Sequence, residues 1–228
     1  MSDPAFSRAE RLLGPPALAK LRNSHVAVFG IGGVGSFTAE ALARTGIGQL
    51  TLIDADTVCA SNINRQLVAL NSTIGRLKTD VMAERIRDIN PEAHVITLPF
   101  FYSQETAGTL DLRAFDCIAD AIDSVESKAE LIVRARQAGV PTVSCMGAGN
   151  KLDPTRFEVA PLAKTSVCPL CKSMRRRLKA HGIEDLTVVY SRESPLPHHP
   201  PASIATVTAT AGLILASAVL KAILNTET

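Results

Sequence analysis

The feature that most constrains this chain is the glycine-rich turn Gly30-Ile31-Gly32-Gly33-Val34-Gly35. It stands between the apolar run His-Val-Ala-Val-Phe at residues 25–29 and the Ala/Leu-rich stretch of residues 36–44. A short apolar strand, a turn that lets the backbone come close to a ligand, and a helix that starts at once form the opening of a β-α-β unit. Its N–H groups and helix dipole face an anion such as phosphate. Gly46 stops the helix and residues 49–54 supply the next strand. The helical stripe Leu77, Val81, Ile86 and Ile89 predicts a helix over 75–90 that ends at Pro91. Strands are expected near 94–98, 116–120 and 141–146, with a helix over 125–138. Such alternation predicts an α/β fold, a Rossmann-like and mostly parallel sheet with helices on both faces.

Past Gly147 the rhythm loosens. Residues 157–163 and a strand at 186–190 are expected to make a small C-terminal extension of the sheet, separated by a basic segment at 168–181. A Pro-rich loop at 195–201 leads to an apolar C-terminal helix over 203–224. The expected layout is one domain over 1–228: an N-terminal helical arm at 1–24, a nucleotide-binding core at 25–149, and a substrate-side extension with the closing helix at 150–228. Residues 204–220 carry no charge and approach bilayer-spanning length. Thr206, Thr208, Thr210 and Ser217 dilute that run, so it reads as a core or dimer-interface helix and no membrane association is expected.

Composition narrows the partners. A formal net charge of +2 on 228 residues gives no global steering, so a polyanion must be met by a local patch. With no Trp and two Tyr, base-stacking platforms are not expected. Residues 1–23 lack a signal-peptide pattern, so the five cysteines are expected to be reduced in a cytoplasmic protein.

The chemistry-bearing residues follow the turn. Asp54 ends the second strand, where a carboxylate can accept hydrogen bonds from ribose hydroxyls; to this point a nicotinamide cofactor fits as well as ATP. Asp56, Asn62, Asn64, Arg65, Gln66 and Lys78 tip the balance. Arg65 and Lys78 offer a planar fork and a point charge to a triphosphate, which suits a leaving pyrophosphate. Asp120 and Asp123 fall at the carboxyl end of a later strand; Asp123 is the candidate magnesium ligand, and Asp120 is read as a cap of the following helix.

Taken together, Gly30-x-Gly32-Gly33-x-Gly35, Asp54-x-Asp56, Asn62-x-Asn64-Arg65-Gln66, Lys78 and Asp123 resemble the ubiquitin-activating-enzyme-like superfamily of adenylating enzymes over residues 6–149. The resemblance implies ATP and Mg as cofactors and a homodimer. It implies Asp54 on the ribose, Arg65 and Lys78 on the phosphates and Asp123 on the magnesium. An N-terminal arginine, Arg8 with Arg11 as fallback, would reach the neighbouring subunit's site.

The segments 148–154, 162–165, 189–193 and 203–210 are similar to the branch of tRNA threonylcarbamoyladenosine dehydratases, extending the resemblance over almost the whole chain. That branch implies ATP-dependent activation of the carboxylate of threonylcarbamoyladenosine beside the tRNA anticodon, followed by ring closure with loss of water. A nucleophile tethered in the same side chain needs no catalytic cysteine. A basic surface is then expected, and Lys172, Arg175, Arg176 and Lys179 can share a helical face; a solvated face is the competing reading. No DNA partner is expected, and a sulfur-relay partner of cysteine-desulfurase type is left open.

Two other functions stay in view: adenylation of the C-terminal Gly of a ubiquitin-like sulfur carrier, and a nucleotide-binding scaffold without catalysis. Sulfur-carrier activators typically hold zinc with two Cys-x-x-Cys pairs; here only Cys168 and Cys171 form such a pair, so zinc is not expected unless shared across a dimer or completed by His198 and His199. Where relatives often have Asp-Pro this chain has Cys168-Pro169, which leaves a local metal or redox role open. Cys117 and Cys145 read as small buried hydrophobes, and Cys59 is assigned no chemistry.

Overall fold

The computed structural model describes residues 4–225. Its seven strands are β1 (His25–Phe29), β2 (Gln49–Ile53), β3 (His94–Leu98), β4 (Cys117–Asp120), β5 (Thr142–Cys145), β6 (Phe157–Pro161) and β7 (Thr187–Ser191). They form one sheet in the order β3-β2-β1-β4-β5-β7-β6. All pairings are parallel except that of β6 with β7. β1, β2 and β4 read as near-continuous apolar runs because both of their faces are covered.

The helices are α1 (Ser7–Leu13), α2 (Pro15–Arg22), α3 (Gly35–Thr45), α4 (Lys78–Ile89), α5 (Val125–Ala138), α6 (Pro169–Lys179) and α7 (Ala205–Leu224). α3, α4 and α7 pack together over one face with Leu42, Leu52, Met82, Leu215 and Val219 in the core. α5 and α6 cover the other, through Leu131, Ile132, Met174 and Leu178. α3 and α5 each end on a glycine in the left-handed region, Gly46 and Gly139.

α4 starts at Lys78, three residues later than its sequence pattern suggests. Residues 75–77 are used elsewhere: Gly75 N–H donates to the Val58 carbonyl, Val58 N–H to that of Arg76, and Leu77 bridges Thr57. That short bridge fastens the segment after β2 across the start of α4. α7 is long and apolar enough to cross a membrane, yet here it lies against the sheet and α3, with Val207, Ala211, Leu215 and Val219 buried. Gly212 brings it close: a Cβ there would stand 2.3 Å from the Val34 carbonyl oxygen, and Thr38 donates a 3.0 Å hydrogen bond to the Gly212 carbonyl.

Candidate active site

The chain runs from β1 outwards to β2 and β3, then returns to place β4 on the other side of β1. At such a reversal the strand ends part into a crevice where open α/β sheets bind ligands. A cavity of about 870 Å³ opens there, within the roughly 300–1,000 Å³ of small-molecule sites.

The glycine turn forms one wall. Gly30 has φ +85°, and a Cβ on it would lie 2.7 Å from the Ala121 carbonyl oxygen, so a side chain is excluded by both conformation and space. A Cβ on Gly35 would lie 1.7 Å from the Gly30 carbonyl oxygen. Gly35 therefore serves the strand-to-helix junction and does not line the cavity, whereas Gly30, Gly32 and Gly33 do.

Asp54 stands just past β2 and ties the opposite wall to the turn. Its Oδ2 accepts the Ile31 N–H at 2.6 Å and its Oδ1 the Asp56 N–H at 2.8 Å. Burial pushes the pKa of Asp54 up, while Lys78 and these two N–H groups pull it back. Lys78, the first residue of α4, is buried; its Nζ lies 2.7 Å from Asp56 Oδ2 and 4.0 Å from Asp54 Oδ1. Asp56 thus holds Lys78 from the solvent side.

Arg65 lies in the irregular segment after β2. Its Nη1 donates to the Ser61 carbonyl at 2.8 Å and to Asn64 Oδ1 at 2.9 Å, and no carboxylate pairs with it among the described residues. Asn62 Oδ1 accepts the Cys59 N–H. Gln66 is buried with its Oε1 unpartnered. Asp54, Asp56, Asn62, Arg65, Gln66, Lys78 and Asp123 all line the cavity. Asn64 does not; its Nδ2 donates to the Ser203 carbonyl at 2.8 Å and so fastens this segment to the entry of α7. Asp123 is exposed in the loop after β4 and has no hydrogen-bond or ion-pair partner among the described residues. Arg8 and Arg11 are exposed on α1 and lie outside their own chain's cavity.

Asp120 is not the cap of α5. Ser124 fills that role, accepting the Ser127 N–H, and Asp120 instead forms an ion pair with Lys128 in which both side chains have no exposure. Lys128 Nζ lies 2.8 Å from Asp120 Oδ2 and also donates to Ser144 Oγ and the Cys145 carbonyl; Ser144 donates to Asp120 at 2.5 Å. Asp120 Oδ1 accepts the Ile122 N–H at 3.0 Å, which fixes the loop that carries Asp123. An i,i+8 pair on a strand and the next helix leaves no periodic signal, so Lys128 and Ser144 were not legible as partners.

The remaining wall comes from residues 146–151, 168–170 and 195–203. Asn150, at φ +60°, clamps these loops together through hydrogen bonds to Leu196, His198 and Ala202. Lys151 is buried in this wall, and Thr208 of α7 meets Gly33. Their segments are part of the family resemblance, but nothing in their own spacing marks them as wall residues.

Cys168 and Cys171 are buried at the start of α6, while His198 and His199 are exposed on the loop before α7. Among the described residues no group of three or more His, Cys, Asp or Glu side chains comes together to hold a metal. On α6, Lys172, Arg176 and Lys179 are exposed. Arg175 is diverted: its Nη1 donates to the Thr165 carbonyl and hydroxyl, so it braces the preceding loop rather than the solvent face.

A model of the ThiF family matches residues 6–228. The tRNA threonylcarbamoyladenosine dehydratase of Bacillus subtilis (strain 168) is 47% identical over 192 residues, 84% of this chain and 76% of that protein. The protein of the same name from Escherichia coli (strain K12) is 47% identical over 175 residues, 77% of this chain and 65% of that one. The crystal structure of the E. coli dehydratase in complex with ATP superposes with a TM-score of 0.90 at 40% identity, covering 97% of this chain and 94% of the other. With the family matched over nearly its entire length and the fold shared along with it, the chain belongs to the ThiF family.

Proposed function

We propose that the protein is an ATP-dependent tRNA threonylcarbamoyladenosine dehydratase. It activates the threonyl carboxylate of the modified adenosine and promotes cyclisation with net loss of water. The observation that carries this reading is the convergence in one cavity of Asp54, Arg65, Lys78 and Asp123 on the glycine turn. Support also comes from relatives of that name at 47% identity and from the ATP and AMP complexes of the E. coli enzyme.

The fit to nucleotide rests on groups left without partners. Gln66 Oε1 has no hydrogen bond, Arg65 no counter-ion and Asp123 no cation among the described residues. Asp54 would hold the ribose, Arg65 and Lys78 the phosphates, and Asp123 a magnesium ion. ATP supplies a good leaving group for the carboxylate oxygen. The protein aligns that carboxylate, stabilises developing phosphate charge with a buried ammonium and a guanidinium, and narrows solvent access through the 146–151 and 195–203 loops. No thiol is required, since the attacking group belongs to the substrate.

We read the active form as a homodimer in which Arg8 serves the neighbouring site, and the setting as cytoplasmic, with tRNA guided by Lys172, Arg176 and Lys179. The same reading leaves room for a sulfur-relay protein of cysteine-desulfurase type as a further partner. The test is nucleoside mass spectrometry of threonylcarbamoyladenosine-containing tRNA incubated with the protein, with and without Mg-ATP, under mild digestion. Loss of one water only with ATP supports the dehydratase. An unchanged nucleoside beside an active control, with pyrophosphate exchange that depends on a ubiquitin-like carrier, would replace it with carrier adenylation.

A further inference from the structure

The pair Cys168 and Cys171 is unused by the activation chemistry. Cys168 is the N-cap of α6 and Cys171 lies in its first turn, three positions on, where side chains sit on one side of a helix. The Cys171 thiol and the backbone N–H groups of Cys171 and Gly147 are the hydrogen-bonding groups that favour negative charge on the Cys168 sulfur. A Cβ built on Gly147 would lie only 3.8 Å from that sulfur. Lys151, 3% exposed and without a carboxylate partner among the described residues, adds positive charge on the same side.

Together these groups favour a thiolate at Cys168. Its pKa is brought down to about 5, first by the Cys171 thiol and against the effect of burial, while that of Cys171 is pushed up. Burial pushes Cys117 and Cys145 up to about 12, so neither competes as a thiolate. Cys168 also lines the large cavity, where a small solute can enter, and Cys171 sits behind it, away from the lining. One thiol is therefore poised to attack and the other to resolve.

We propose that Cys168 and Cys171 form a reversible redox couple in the wall of the active-site cavity, closed to a disulfide by a small hydroperoxide. The Cys168 thiolate attacks the terminal peroxide oxygen; the O–O bond breaks, and the leaving oxygen takes the electron pair and a proton. Cys171, giving up its proton, then attacks the sulfur of the resulting sulfenic acid, the S–O bond breaks and water leaves. With hydrogen peroxide, two thiols are oxidised by two electrons and two waters form. A dithiol reductant reverses the change by exchange. Because the Cys168 sulfur lies beside Gly147 with the Lys151 charge near it, closing the bridge removes the anion that faces Lys151 inside the cavity.

The experiment treats the reduced full-length protein with hydrogen peroxide, quenches it, alkylates it unfolded and maps the peptides by mass spectrometry. Expected are the loss of two hydrogens from the peptide holding Cys168 and Cys171, protection of both from alkylation, and recovery with dithiothreitol. Cys171→Ser should stop at a Cys168 sulfenic acid captured by dimedone, and Cys168→Ser should leave Cys171 unoxidised. In native protein, alkylation of Cys168 should slow by less than about threefold between about pH 8 and about pH 6, while a free-cysteine peptide slows nearly a hundredfold. The proposal fails if both cysteines stay fully alkylatable after peroxide oxidises the exposed Cys59. It fails equally if Cys168 follows the pH dependence of the free peptide.

Discussion

Arg65 and Lys78 bring positive charge to one cavity under opposite conditions. Arg65 is partly exposed and held by neutral oxygens, whereas Lys78 is buried against two carboxylates. On the proposed activity both act on charge that develops during activation, so Arg65→Ala and Lys78→Ala should each lower ATP-dependent turnover by about a hundredfold or more. Their circular dichroism should stay native, and full activity in either variant would remove the assignment. Asp54 gives a pH test. Its folded-state pKa is raised, chiefly by burial, so it favours folding below the ordinary carboxylate range and that contribution is lost as pH rises through the folded value. Asp54→Asn should therefore gain stability relative to the parent as pH rises above the ordinary carboxylate range, about pH 4, in urea titrations, while losing ATP affinity. A difference that is flat with pH would show that the carboxylate bears no burial cost.

Elements carry the site through buried contacts that are not themselves chemical. β4, α5 and β5 meet in the pair Asp120–Lys128 with Ser144, and the same aspartate fixes the loop of Asp123. Lys128→Met would take the counter-ion from a carboxylate that has no exposure, which should cost about 3–5 kcal/mol of unfolding free energy. The double variant Asp120→Leu with Lys128→Met should cost clearly less than the sum of the single changes, measured by denaturant unfolding. Strict additivity would mean that the pair does not act as a unit. α7 and α3 meet where Gly212 lies against Val34. Gly212→Val must push these helices apart and should destabilise by roughly 1–3 kcal/mol, with the change confined to the midpoint of unfolding rather than its slope.

At the scale of the molecule, a net charge of +2 hides a basic helix beside the cavity wall. Lys172→Glu with Arg176→Glu should weaken tRNA binding and flatten its dependence on salt without changing ATP affinity. Arg175→Glu is a poorer probe, because its guanidinium holds the loop at Thr165. An unchanged salt slope would return the helix face to plain solvation. The dimer reading has a complementation test. Arg8→Ala and Lys78→Ala chains, each inactive, should regain activity when mixed and allowed to exchange subunits, since one site of each mixed dimer keeps both residues. No recovery, with exchange verified, would place Arg8 outside the partner's site.

Much of this molecule is written locally. Alternating apolar runs and helical stripes set the order of strands and helices, and the glycine turn, Asp54, Arg65, Lys78 and Asp123 stood out because each has a residue type suited to phosphate or metal in or downstream of a strand-end turn. Strand and helix periods are properties of neighbours in sequence, so they can be read there. What only the folded chain decided joins distant residues. Lys128 finds Asp120 and Ser144 across two elements, Asn64 grips Ser203 from 139 positions away, and residues 75–77 leave the helix to bridge Thr57. Arg175 turns from the solvent face for the same reason: a backbone carbonyl that must be satisfied in three dimensions outcompetes the helical pattern on which the residue sits.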